Sequence, residues 1–476
     1  VADAEPDLSH ALAAAAAHAS YDDVGAGAVE AARRSLLDTI GVALAASGTE
    51  PAVRTVTTLV LRDGGRPEAT VWGHGARVPA SAAALANGAL AHGLDFDDQT
   101  PWGQHASSSV VPAALAVAER RGGVGGRELL TAIALGQDLF ARLRCHVGWR
   151  KDWNLSSVLG VHAGALAAGR VAGLDAARLQ AALGIASQQS AGVMEVVAGT
   201  GSDLRGTYAG FSARGAVTAV QLAELGLGGA DRVVEGPLGV MAAYFGGVYD
   251  RDAIVAGLGR DLRGAGTLYK RWPAVGTSHS HVHAMISLMA EHDLVADDLA
   301  EVRVAVGDYH RLMCTPLDVR RAPETLVDAK FSLPFLVALA AVHATVEVRH
   351  FTDEGIRDPR VRAVAARIVP VDDPALDWEL ELPPGRVEVT TRDRRVLSRV
   401  GTDHPGSPTR PVTWDELTAK FRGCAALAAV PLDAERVEAV VAGVRDLESL
   451  TDVRDLTRHL APAGHEHPVH EMDTSS

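Results

Sequence analysis

From about Leu8 to Leu262 the chain repeats one pattern, apolar residues at three- and four-residue spacing broken by short Gly- or Asp-bearing interruptions. Val29–Ala46 shows it and stops near Ser47-Gly48, a typical helix end. Ala80–Leu90, Val110–Glu119, Glu128–Arg142, Val158–Val171, Ala176–Ala186 and Gly210–Glu224 follow the same grammar. Each such segment must bury an apolar stripe, and because many are rich in Ala and Gly their backbones can approach closely. The expected product is a helical bundle. The pattern changes after Tyr269. Val302–Gly307 and Arg386–Thr391 alternate apolar and polar residues at the strand period, with helical stretches at Val282–Glu291, Leu333–His343 and Pro359–Val369.

The expected fold class is therefore mainly α: a large all-helical bundle with an inserted smaller α+β lid domain. Residues 1–266 form the first part of the helical domain, 267–403 the lid, and 404–463 the returning helical part, with helices at Trp414–Ala429 and Ala434–Leu447. The polar stretch 464–476 reads as a disordered tail. A chain of 476 residues is long for one core, which agrees with two domains.

Composition excludes several classes. No apolar run is long enough to span a bilayer, because the Ala/Leu/Val stretches are interrupted by Asn, Gly, His or Arg. Val1–Ala17 carries Asp and Glu where a secretory signal carries basic residues, so a cytoplasmic protein is expected. A formal net charge of −14 disfavours nucleic acid and anionic membrane as partners. It leaves room for an anionic substrate held by a local basic cluster. Cys145, Cys314 and Cys424 lie far apart and form no CxxC pair, so neither a zinc framework nor a disulfide framework is expected.

Four ordered segments carry more information. They are Asn87-Gly88-Ala89-Leu90-Ala91-His92-Gly93-Leu94-Asp95-Phe96-Asp97-Asp98, with His105 ten residues after Asp95; Gly184-Ile185-Ala186-Ser187-Gln188-Gln189-Ser190-Ala191-Gly192; Tyr269-Lys270-Arg271-Trp272-Pro273, followed by Ser278-His279; and Asp328-Ala329-Lys330-Phe331-Ser332-Leu333-Pro334-Phe335. Together they resemble the MmgE/PrpD family over nearly the whole chain. The resemblance implies the bundle with its inserted lid, no cofactor, no metal, a homodimer, and a small carboxylate as substrate. The family's dehydratases, decarboxylases and epimerases share one step, removal or delivery of a proton at a carbon beside a carboxylate. Such carbon acids are weak, so the site needs a positioned base and cationic groups.

The resemblance assigns catalytic roles to Asp95, His105 and Lys270. An imidazole titrating near neutrality makes His105 a natural base or acid, against the commoner fate of a capping loop histidine. Asp95 would orient a cation, while Asp97 and Asp98 shape the loop. Lys270 would hold a substrate carboxylate or act as a base; a surface pair with Arg271 is the alternative. His279 matches the motif, and His281 and His283 nearby raise the question of a metal site. That spacing puts three side chains on one face only in a strand, and no accompanying acid or Cys completes a ligand set.

Departures from the family's pattern narrow the chemistry. Gln99 stands where Thr is usual, with Thr100 next to it. The position of a family histidine is Asn154 in one register and Arg150 in another. Arg205 replaces the second lysine and can clamp a carboxylate with two parallel hydrogen bonds. Tyr208 takes the following histidine's place, as an acid or hydrogen-bond donor. Val275 and Phe335 replace a histidine and a tyrosine of the decarboxylase subgroup. The expected substrate-binding set is Gln99, Thr100, Asn154, Arg205, Arg271 and His279, with Tyr208 joining the catalytic group. Three readings stay open: a lyase acting on a small hydroxy-carboxylate by elimination, an epimerase using the same acid–base site, and a catalytically silent binding homologue. The departures weigh against cis-aconitate decarboxylation.

Overall fold

Twenty-four residues, Ala26–Thr49, form the longest helix described, and almost every side chain from Ser35 to Ser47 is buried. It is a core helix packed on several sides, which explains its apolar residues on more than one face. The computed structural model describes residues 5–461. The expected tail, 464–476, lies outside the described residues, as do 462 and 463. Around the long helix pack Ala80–His92, Ser107–Arg121, Gly126–His146, Leu155–Val171 and Leu204–Glu224. The fold is mainly α. None of the described helices is long and apolar enough to cross a membrane.

Ala80–His92 and Leu204–Glu224 cross where glycine meets glycine. A Cβ on Gly88 would stand 2.8 Å from the Gly210 Cα, so only Gly permits this approach. The crossing matters because it brings the end of the first helix, at His92, beside the first turns of the second.

Buried apolar side chains gather in two clusters among the described residues. The first runs from Leu8 to Tyr269 and resumes with Val412, Leu417, Phe421 and Cys424, so the helix Trp414–Ala425 packs back onto Ala26–Thr49. The second takes residues from Trp272 to Val389. There a four-stranded sheet has the order Ile368–Asp372, Leu299–Val306, Arg386–Thr391, Val396–Val400. The first pair is parallel and the others antiparallel. Helices His279–Glu291 and Leu333–His343 pack with it.

Several boundaries differ from the sequence reading. Pro359–Val369 is not one helix: it ends at Ala365, and Ile368–Asp372 is a strand whose burial is one-sided only at Ile368. Val396–Val400 is an edge strand of exposed and half-buried residues, which leaves no apolar alternation to read. The helix of the third motif starts at His279 rather than Val282. His279, His281 and His283 therefore fan out around a helix instead of lining a strand. His281 Nε2 meets the Ala305 carbonyl oxygen at 2.9 Å, and His283 faces Asp403.

Two buried lysines tie the clusters together. The Lys330 ammonium donates to Glu50, and both side chains are almost sealed from solvent. Removing one member of such a pair leaves an uncompensated charge. Lys330→Ala should therefore cost about 3–5 kcal/mol in urea denaturation. The double variant Glu50→Gln/Lys330→Met should recover much of that loss, and equal loss in both would refute a charge origin.

Candidate functional site

After Ala80–His92 ends, the chain turns into a loop containing three acids and no exposed side chain. Asp95, Asp97 and Asp98 are all nearly inaccessible. Asp95 adopts the left-handed conformation (φ 49°), uncommon for a residue with a side chain and a feature that clusters at functional sites. Lys270 holds it there: its ammonium donates to the Asp95 carboxylate and, at 2.9 Å, to the Asp95 carbonyl oxygen. The loop is also pinned by paired backbone bonds, Gln99 N–H to the Leu268 oxygen at 2.9 Å and the reverse at 2.8 Å.

Each carboxylate is compensated differently. Burial pushes Asp95 up, but Lys270 and the two neighbouring histidines outweigh it and hold the carboxyl below its usual range. Burial likewise opposes ionisation of Asp97, yet His105 and His92 hold it well below the ordinary value. Its carboxylate lies 3.1 Å from Nδ1 of both rings. Asp98 has no cation. Burial raises it to about 7 against hydrogen bonds from Ser107 and Ser35, with Asp38 and Asp97 raising it further.

These contacts fix the tautomer of His105. Its Nδ1 lies 2.7 Å from the Asp98 carbonyl oxygen, which can only accept, so Nδ1 carries a hydrogen. In the neutral ring Nε2 is then the unprotonated nitrogen, 3.4 Å from Asp95 Oδ1. The backbone N–H of His105 donates to Ser156 Oγ at 3.1 Å.

His105 faces a cavity of about 60 Å³, which also meets His92, Asp95, Gln99, Asn154, Arg205 and Tyr208. That space suits roughly four to six water molecules, hence a small ligand. Arg205 lies in the first turn of Leu204–Glu224 and is 4 % exposed. Its guanidinium sits 3.0 Å above the Phe331 ring, and among the described residues it has neither a hydrogen-bond acceptor nor a counter-ion. Burial lowers its pKa to about 9, so it stays cationic at neutral pH. The Asn154 Oδ1 caps the helix Leu155–Val171 by accepting from Ser156 N–H, leaving a buried Nδ2 with no partner. The Tyr208 ring packs 4.4 Å from His92, and burial pushes its phenol well above the usual value, so it acts as a hydrogen-bond donor. Phe331 of the second cluster, Tyr309 packed against it, and Trp378 complete the lining. Trp378 fills the space over Gly103 (φ 78°) that a Cβ would occupy.

The structure thus brings Asp95, His105, Gln99, Asn154, Arg205 and Tyr208 together and leaves four expected residues outside the cavity. Lys270 lies behind the loop, its ammonium donating to Asp95, and does not line this cavity. Thr100 spends its hydroxyl on the Gly103 carbonyl and its N–H on Gln104, closing a turn. Arg271 is exposed. His279 packs between Trp272 and His404, its Nε2 on the Ala274 oxygen. Arg150 is on the surface with Asp152, so Asn154 is the residue at the cavity.

His92, Asp95, Asp97 and His105 offer donor atoms within 4.8 Å of one another. They do not fit an ion as arranged. Asp95 is paired with an ammonium, and the Nδ1 of His105 carries a hydrogen toward a carbonyl oxygen. A cation would have to displace Lys270 first.

Two family models match the sequence, the MmgE/PrpD N-terminal domain over residues 10–251 and the MmgE/PrpD C-terminal domain over residues 272–446. The chain belongs to the MmgE/PrpD family. Similar curated proteins include the cis-aconitate decarboxylases of Homo sapiens, 26 % identical with 90 % of this chain and 89 % of the relative covered, and of Mus musculus, 24 % identical with 91 % and 89 % covered. The Aspergillus terreus enzyme of the same name is 24 % identical, with 93 % of each chain covered.

In this MmgE/PrpD member, sequence reasoning passed over His92, Tyr309, Trp378 and Lys420. His92 had a signal: it sits in the same motif, five residues before Asp97. Lys420 donates to the Phe96 oxygen at 2.7 Å and the Lys270 oxygen at 3.1 Å and pairs with Asp38 at 2.7 Å. Nothing in its helical surroundings marks it.

Asp98 makes a pH prediction. A carboxyl whose folded-state pKa exceeds its unfolded value binds more protons when folded, so stability falls as pH rises between those values. The window runs from about 4, the unfolded value, to about 7 in the folded protein. Asp98→Asn should remove this slope. In urea denaturation it should gain stability relative to the wild type across that window and keep a constant difference above it.

Proposed function

We propose that this protein is a cofactor-independent lyase acting on a small hydroxy-carboxylate by proton abstraction beside a carboxylate, with elimination of the dehydration type. One observation carries the reading: a buried guanidinium without a counter-ion among the described residues borders the same small cavity as an imidazole whose tautomer leaves Nε2 unprotonated. A sealed cation lacking a partner costs several kcal/mol, a cost that an anionic ligand would offset.

Arg205, with the free Nδ2 of Asn154, binds the substrate carboxylate and stabilises the charge that develops as the adjacent carbon loses its proton. His105 takes that proton at Nε2. Asp95, aligned by Lys270, and Asp97 stabilise the imidazolium that forms, as carboxylates beside a catalytic histidine do. Tyr208 donates a hydrogen bond to a substrate oxygen. The part of the chain carrying Tyr309 and Trp378 acts as a lid, and the working protein is a cytoplasmic homodimer.

Decarboxylation is the second reading, favoured by likeness to cis-aconitate decarboxylases along nine-tenths of the chain. Against it stand Val275 and Asn154, neither of which transfers a proton, at the cavity wall. Epimerisation needs acid–base groups on opposite faces of one carbon, and the phenol of Tyr208 is a poor base.

Incubation with cis-aconitate and a panel of small hydroxy di- and tricarboxylates in D₂O, followed by NMR, separates these reactions. The expected result is a new alkene from a hydroxy acid. Deuterium without alkene would indicate epimerisation, loss of carbon dioxide would indicate decarboxylation, and no change with any compound would overturn the enzyme reading. His105→Ala should lower kcat by about 10²–10⁴-fold. Arg205→Met should act mainly on KM.

A further inference from the structure

Resting on the elimination reading, we propose that His92 is the second proton-transfer group of this site, the acid that protonates the departing oxygen while His105 serves as base. Three observations bring it forward. His92 is 2 % exposed, and the surface it retains lines the cavity. Its Nδ1 lies 3.1 Å from both oxygens of Asp97, the same carboxylate that meets Nδ1 of His105. Its ring stands 4.6 Å from that of His105, edge to face.

Asp97 is an anion and can only accept, so Nδ1 of His92 carries a hydrogen toward it. The Nδ1 hydrogen of His105 goes to the Asp98 carbonyl oxygen, so the two adjacent imidazoles share one tautomer. Among the described residues Nε2 of His92 has no hydrogen-bond partner in the protein. The groups facing His92 are Asp95 and Asp97 of the loop, His105, and Tyr208 across from the loop; Lys270 acts through Asp95. With two carboxylates beside two imidazoles and one ammonium, the site can hold one imidazolium before any substrate proton arrives.

A division of labour follows. His105 begins neutral and His92 protonated. His105 Nε2 takes the proton from the carbon beside the carboxylate, and the C–H electron pair becomes the new C=C bond. As the C–O bond on the neighbouring carbon breaks, the departing oxygen takes the Nε2 proton of His92 and leaves as water. The cycle ends with the substrate's proton on His105 and that of His92 in the released water, and exchange with solvent during product release restores the start. Two rings 4.6 Å apart act on one side of the substrate, which suits a syn elimination better than inversion at a single carbon.

The competing role is purely positional, with His92 merely holding Asp97 in place. His92→Asn separates the two, because Asn Nδ2–H can replace Nδ1–H toward Asp97 while offering no proton at Nε2. On the hydroxy acid that the wild type dehydrates, His92→Asn should lower kcat by about 10²-fold or more. KM should stay within about threefold, and one limb of the kcat–pH profile should vanish. Thermal melting should match the wild type. Activity and profile near those of the wild type would overturn the proposal. If the wild type dehydrates no compound, the reading beneath fails first, and ¹⁵N-histidine NMR still tests this one. The His92 resonances, assigned by their loss in His92→Asn, should show a neutral form protonated at Nδ1. A neutral ring protonated at Nε2 overturns it.

Discussion

Keeping three carboxylates dry within four residues of chain is the requirement around which the rest of the structure is arranged. A lone buried carboxylate costs several kcal/mol, and Asp95, Asp97 and Asp98 crowd one another as well as losing water. The protein answers each in a different way. Asp95 receives a whole positive charge, Asp97 accepts from His92 and lies beside His105, and Asp98 relies on Ser35 and Ser107 and on keeping its proton to about pH 7. Gln137 donates to both of those serine oxygens, at 2.8 and 2.9 Å, while Asp98 Oδ1 and Gln137 Oε1 have no partner among the described residues. The left-handed backbone at Asp95 is tolerated because Lys270 grips its carbonyl as well as its carboxylate.

The helical part of the fold was legible because periodic burial leaves a periodic sequence. Ala176–Ala186 matches its expected limits, and the helix around Val158–Val171 gains only one turn at its start. Edge strands leave no such trace, since one solvated face and short length erase the alternation; Val396–Val400 was invisible for that reason. The site divides similarly. His105, Asp95 and Arg205 sit in motifs whose residue types announce chemistry. What the sequence could not give was pairing: that Lys270 donates to Asp95, that Asp97 lies beside two rings, and that Arg205 has no counter-ion among the described residues. Those are properties of distance between segments far apart in the chain. Tyr309 and Trp378 come from beyond the third motif, with no motif around them.

Family membership and the altered positions now bear on the chemistry together. The curated relatives named cis-aconitate decarboxylase cover nine-tenths of the chain, yet the cavity wall here carries Val275, Asn154, Arg205 and Tyr208. A fork-shaped cation and neutral donors suit that wall to recognition. In the proposed reaction the protons are left to the acidic loop and its two histidines. Such a division lets the recognition wall change while the proton machinery stays intact.

Lys420 gives the arrangement a temporal dimension. It arrives on the helix Trp414–Ala425, more than three hundred residues after the loop whose Phe96 carbonyl it grips, and it also neutralises Asp38 and caps the Lys270 carbonyl. During synthesis the ribosome releases the acids long before the lysines that compensate them. A nascent chain cannot close this loop over an apolar core, because the charges would be stranded. Asp38 and the carbonyls of Phe96 and Lys270 therefore lack this partner until the helix Trp414–Ala425 has been made.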